Sequence, residues 1–135
     1  MFAIVSPNDK LIYSCDLSRD DVPRDDPPHL DEFILYSSLD IVDRVKGVSN
    51  DAYLKVVDKF NDFLVSAFVP ISSVRFLLLH KQVYSEEAIR IFFQETYSYY
   101  IKLVTYNLSY SLGSLISSDQ FDSNVRMTGK KLLTI

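Results

Sequence analysis

The chain contains no tryptophan, one cysteine, two histidines, three glycines and five prolines in 135 residues. Each scarcity removes a class of reading. A single Cys15 forms no internal disulfide and fits a reducing compartment, so a disulfide scaffold is excluded. His29 and His80 stand far apart and outside any ligand-spaced cluster, which leaves no zinc motif. With so few glycines there is no phosphate-cradling loop, no low-complexity tract and no internal repeat. No window approaches ~18 uninterrupted apolar residues, and the opening Met1-Phe2-Ala3-Ile4-Val5 lacks the basic region and length of a signal peptide. Basic charge is also short: 14 Lys and Arg against 18 Asp and Glu give a net charge of −4. That balance excludes a general nucleic-acid binder and purely electrostatic docking to an anionic membrane. Cytoplasm is the expected compartment.

What is present is a globular composition, 47% hydrophobic and 24% charged. The length suits one domain over residues 1–135. Phe2 to Val5 and Leu11 to Cys15 flank the turn formers Ser6-Pro7-Asn8-Asp9-Lys10, a hairpin signature. Residues 16–28, "DLSRDDVPRDDPP", read as a polar loop. Its acids Asp16, Asp20, Asp21, Asp25 and Asp26 do not match the spacing of a calcium loop, and Arg19 and Arg24 sit among them. A solvated loop ending in a helix cap is the better reading.

A helix follows over about residues 28–46. Asp26, Pro27 and Pro28 mark its start, and Arg44, Lys46 and a left-handed Gly47 mark its end. It is apolar over more than one face. Leu30, Ile34, Ser37, Ile41 and Val45 form one stripe, and Leu35, Leu39 and Val42 form a second. Ser37 and Ser38 are small enough to let the helix lie close on a sheet.

Three strands come next, at 52–60, 63–69 and 74–80, with turns at Asn61-Asp62 and Pro70 to Ser73. In the first, Tyr53, Lys55, Val57 and Lys59 alternate with Leu54, Val56, Asp58 and Phe60, the pattern of an edge strand with one wet side. The next two are apolar on both sides and call for cover on both faces. A long helix from Ser85 to about Tyr106 supplies it, with Ala88, Ile89, Phe92, Phe93, Tyr97, Tyr100, Ile101 and Val104 on its apolar side. Residues 107–117 read as a loop, and a last helix after Ser118 carries Phe121, Val125 and Leu132. The predicted fold is α+β: a mainly antiparallel five-stranded sheet, order β-β-α-β-β-β-α-α, with helices on both faces.

No catalytic constellation emerges. Cys15 has no base beside it, His29 and His80 read as surface or boundary residues, and Lys130-Lys131 is too small for a membrane anchor. Tyr97 and Tyr100 have core spacing, whereas Tyr99 and Tyr106 read as interface aromatics.

The segments "LDIVD" (39–43), "YLKVVDKFNDFLVSAFV" (53–69) and "RFLLLH" (75–80) resemble the sedlin family of vesicle-tethering subunits. "FF" at Phe92-Phe93, "YIK" at Tyr100-Ile101-Lys102 and "FDSNVRMTGKK" (121–131) extend the resemblance over residues 29–133. Where the family carries "NPFY", this chain has Asn107-Leu108-Ser109-Tyr110 without the proline. The resemblance implies a longin-like fold (SNARE-like, profilin-like), with one helix on one sheet face and two on the other. It also implies a non-enzymatic adaptor without cofactor or metal, working in a TRAPP complex between endoplasmic reticulum and Golgi. The partners implied are other TRAPP subunits and, through the complex, a Rab-type GTPase, with membrane association only through the complex.

In such subunits the first helix contacts a neighbour, so Leu35, Leu39 and Val42 are the expected partner stripe, with Asp40 orienting the partner by charge. The competing reading is a profilin- or PAS-like small-ligand domain with Phe63, Phe68, Phe76 and Phe92 lining a pocket.

Overall fold

A computed structural model describes residues 1–15, 30–48, 51–60, 63–70, 74–80, 85–106, 116 and 119–132. The elements are β1 (Phe2–Val5), β2 (Leu11–Cys15), α1 (Leu30–Val48), β3 (Tyr53–Phe60), β4 (Phe63–Phe68), β5 (Arg75–His80), α2 (Glu86–Tyr106) and α3 (Asp119–Leu132). The order is the expected one. The polar loop at 16–28 with its acids, His29, the turns at 61–62 and 71–73, and the loop at 107–115 lie outside the described residues.

In space the strands run β2-β1-β5-β4-β3, and every neighbouring pair is antiparallel. The join between the two hairpin systems is β1 against β5, with Phe2 opposite Leu78 and Val5 opposite Arg75. Both strands are buried along their whole length, which is why they read as continuous apolar runs. Alternate residues then serve two cores. Ala3, Val5, Val65, Ala67, Leu77 and Leu79 face α1, while Phe2, Ile4, Phe68, Phe76 and Leu78 face α2 and α3. One helix on one face and two on the other make this a longin-like α+β fold.

The α2 side is an aromatic core. Phe2 meets Phe92 edge to face at 5.1 Å, Phe68 stacks on Phe93 at 5.7 Å, and Phe76 meets Tyr100 at 6.0 Å. Such pairs add about 0.5–1.5 kcal/mol each beyond the area they bury. Phe63 lies in the other core, against α1, so it lines no pocket with Phe68, Phe76 and Phe92.

Local punctuation explains the start of α2. The Ala88 N–H donates to Ser85 Oγ at 3.3 Å, and Glu86 and Glu87 occupy the positive end of the α2 dipole. The end of α1 departs from expectation. Gly47 stays helical, its backbone is not left-handed, and α1 continues to Val48. Lys46 Nζ still serves that end, donating to the Asp51 carbonyl at 3.3 Å.

The edge strand β3 is less regular than its alternation suggests. Its register against β4 slips between Tyr53 and Lys55 and again between Val56 and Asp58. Each bulge turns one extra side chain toward α1: Leu54 is buried there and Val57 packs against the same core. Val56 is left 45% exposed, and Lys55 sits at φ 63°, a left-handed conformation that L side chains resist.

α3 is fastened to β2 and α2. The Tyr13 hydroxyl donates to Asp122 Oδ1 at 2.7 Å, Arg126 Nε donates to Asp122 Oδ2 at 3.0 Å, and Phe121 meets the Tyr13 ring at 5.0 Å. Tyr99, expected to face a partner, is half-buried, with its hydroxyl 3.2 Å from Thr128 Oγ1. The outer edge of β2 is also used, since Ile116 N–H donates to the Ile12 carbonyl at 3.0 Å.

Two measurements follow from this layout. The Tyr13 hydrogen bond, with help from Arg126, holds the Asp122 carboxyl below the ordinary carboxylate range. A depressed carboxylate contributes stability that is present above its unfolded value, about 3.9, and is lost as pH falls through the folded value. Urea midpoints for the parent should therefore fall below about pH 4 more steeply than for Tyr13→Phe. Equal slopes in the two proteins would remove this linkage. For Lys55→Gly, relief of the left-handed backbone outweighs the added chain entropy, and chemical denaturation should show a gain of roughly 0.5–1 kcal/mol.

Candidate functional site

The candidate surface begins with how α1 is seated. Ile34, Leu35, Ser38, Leu39 and Val42 form one arc of the helix, and all are buried against the sheet. Ser38 links α1 to the sheet: its one hydroxyl hydrogen is shared between the Ile34 carbonyl at 2.8 Å and Asp58 Oδ2 of β3 at 3.0 Å. Ser37, the other small residue, is exposed.

This corrects the expected partner stripe. Leu35, Leu39 and Val42 face inward, with only 6% of Leu39 exposed and none of Val42. The physical reason is the apolar sheet face beneath α1: Val65, Ala67, Leu77 and Leu79 form one core with Ile34, Leu35, Leu39 and Val42, so burying that arc of the helix covers the sheet. Ile41 and Val45, from the stripe expected to be core, sit half-buried at the margin.

The outward arc carries the aromatics that the stripe counting passed over. Phe33 is 59% exposed and Tyr36 45%, and they share their side of α1 with Asp40, Asp43, Arg44 and Val48. Spacing of three and seven residues from Phe33 to Tyr36 and Asp40 is the signal that would have found them. Asp40, alone among the expected contact residues, is exposed as anticipated. Exposed aromatics are among the residues enriched at recognition surfaces, whereas the neighbouring carboxylates suit only a polar rim.

The arc is held rigidly. Asp43 accepts from Arg75 Nη1 through both carboxylate oxygens at 3.2 Å. Arg75 Nη2 donates to the Ser6 carbonyl at 2.8 Å and to Asp9 Oδ1 in the β1–β2 turn. The surface is therefore tied both to the central strand and to the first hairpin.

Groups with chemical potential elsewhere are engaged in packing. Cys15 is buried, and burial pushes its thiol upward, away from nucleophilic character. His80, read from the sequence as a surface or boundary residue, is buried at the end of β5, with Nε2 3.0 Å from the buried Ser66 Oγ. Tyr13 is likewise raised, first by burial and then by its bond to Asp122. Among the described residues no group of three or more His, Cys, Asp or Glu is placed to hold a metal ion. No helix among them is long and apolar enough to cross a membrane.

Comparison with known proteins agrees with the geometry. A family model described as sedlin matches residues 4–131. The "Transport protein particle 20 kDa subunit" of Schizosaccharomyces pombe is 37% identical over 133 residues, covering 97% of this chain and 96% of that protein. The "Probable trafficking protein particle complex subunit 2" of Drosophila melanogaster is 36% identical over 134 residues, covering 98% and 95%. Its namesake in Caenorhabditis elegans is 37% identical over 136 residues, again covering 98% and 95%. With its core pattern, strand order and near full-length similarity in accord, the chain belongs to the sedlin family.

Proposed function

We propose that this protein is a non-enzymatic adaptor subunit of a TRAPP-type tethering complex in vesicle transport between endoplasmic reticulum and Golgi. The observation that carries the reading is end-to-end similarity to proteins named as subunits of the transport, or trafficking, protein particle. On this reading its partners are other TRAPP subunits, and a Rab-type GTPase is reached only through the complex. It is cytoplasmic and meets membranes through its neighbours.

The contact surface is the outward arc of α1, with Phe33 and Tyr36 as apolar anchors and Asp40 setting orientation by charge. Leu35, Leu39 and Val42 contribute from beneath by fixing the rotation of the helix on the sheet.

Two kinds of substitution separate these roles. Phe33→Glu and Asp40→Lys should keep a native circular dichroism spectrum and lie within about 0.5 kcal/mol of the parent, as exposed substitutions do. Each should weaken co-purification with sister subunits by ten-fold or more, the loss of about 1.4 kcal/mol expected at an anchor. Leu39→Glu instead buries a charge and should unfold the chain. Parent-level recovery of sister subunits by both folded variants would remove α1 as the contact surface.

A further inference from the structure

The sheet has two edges, and they are treated differently. β2 receives a hydrogen bond from Ile116, whereas β3 is terminal in the strand order, with no strand beyond it among the described residues. An open edge of main-chain donors is a template for another strand. Here one donor is already occupied. The Lys59 N–H does not point into the ladder with β4 but donates to Asp58 Oδ1 at 2.8 Å, in an exposed position. The other oxygen of the same carboxylate accepts from Ser38 on α1. A single side chain thus caps the edge and is itself held in place by the helix. Beside it, Val56 offers an exposed apolar contact on β3, and the two bulges twist the strand.

We propose that Asp58 is a gate on the open sheet edge: its carboxylate closes β3 against strand pairing with a second copy of this chain. Without the cap, the outward N–H of Lys59 becomes a donor in search of an acceptor. Two β3 strands related by a two-fold axis satisfy each other in antiparallel register, the self-complementary arrangement of most symmetric dimers. Lys55 and Lys59 oppose that pairing by like charge, a second barrier that salt screens over distances on the order of 4 Å at 0.5 M. Asp58 acts at short range through a hydrogen bond and keeps the edge closed when the lysines no longer do. Closure directs assembly away from the sheet and toward helical surfaces.

The substitution that opens the gate with least damage is Asp58→Val, a strand-favouring residue, because Ser38 keeps its bond to the Ile34 carbonyl. In sedimentation equilibrium at 0.5 M salt the apparent mass should rise to roughly twice that of the parent. Adding Lys59→Pro removes the outward N–H, is tolerated at an edge and should return the mass to the parent value. Ser38→Ala loosens only the helix tie and should leave the mass unchanged. An Asp58→Val protein with the parent mass overturns the proposal. So does association that persists with Lys59→Pro, because contact would then run through a loosened α1. Should Asp58→Val not fold, amide exchange in the parent decides. Lys59 N–H is expected to exchange at least about ten-fold more slowly than an unstructured amide; exchange at the unstructured rate removes the cap and the proposal with it.

Discussion

A guanidinium buried at the start of the central strand obliges three separate parts of the chain to meet. Arg75 is 3% exposed, between Val74 and Phe76, neither of which touches solvent. A cation in that position costs several kcal/mol unless it is paired and hydrogen-bonded. Its partners come from the β1–β2 turn (Asp9 and the Ser6 carbonyl) and from α1 (Asp43). The balance of magnitudes explains the turn. Asp9 is left-handed at φ 64°, a conformation costing roughly 1–2 kcal/mol, less than the desolvated charge it helps to offset. The carboxylates of Asp9 and Asp43 remain more than half exposed, so the attraction is screened and the 3–5 kcal/mol typical of breaking a fully buried pair is an upper bound. What the cluster contributes above all is position.

Position matters because α1 is apolar on more than one face, and an unconstrained helix of that kind has more than one way to sit. Burial of Leu35, Leu39 and Val42 fixes its rotation, the Ser38–Asp58 bond fixes its height over β3, and Asp43–Arg75 fixes its far side to β5. The exposed side of α1, with Phe33, Tyr36 and Asp40, is consequently held in one orientation. A surface ordered in advance avoids the side-chain and loop entropy that binding otherwise has to overcome.

The parts of this fold that were legible in the sequence are those written locally. Turn formers between apolar runs placed the strands, Ser85-Glu86-Glu87 placed the start of α2, and the two-sided apolarity of β4 and β5 required cover on both faces. The rotation of α1 was not legible, because its two apolar stripes are alike in hydrophobicity and only the sheet beneath chooses between them. Nor were the bulges of β3: no glycine or proline marks them, and Lys55 gives no sign of a left-handed backbone. The Arg75 cluster joins residues 32 to 69 positions apart, a distance over which pattern reading is silent. The candidate site inherited the first of these gaps. Asp40 was placed on an exposed side of the helix, as it is, but the exposed aromatics beside it were assigned to no face.

The side chains with the most versatile chemistry in the described part of the molecule are engaged in structural hydrogen bonds. His80 secures Ser66 across β4 and β5, Tyr13 and Asp122 fasten α3 to β2, and the hydroxyl of Thr96 returns to the Phe92 and Phe93 carbonyls within α2. Each of these bonds satisfies a buried or half-buried polar group that would otherwise cost about 1–3 kcal/mol. The outward arc of α1, by contrast, offers rigid aromatic area and negative charge, the means by which one surface selects another. The division is a physical one: polar chemistry is directed inward to specify a unique packing of three layers, and shape and charge are directed outward. A domain organised in this way is suited to being held by its neighbours, as a subunit of a larger assembly must be.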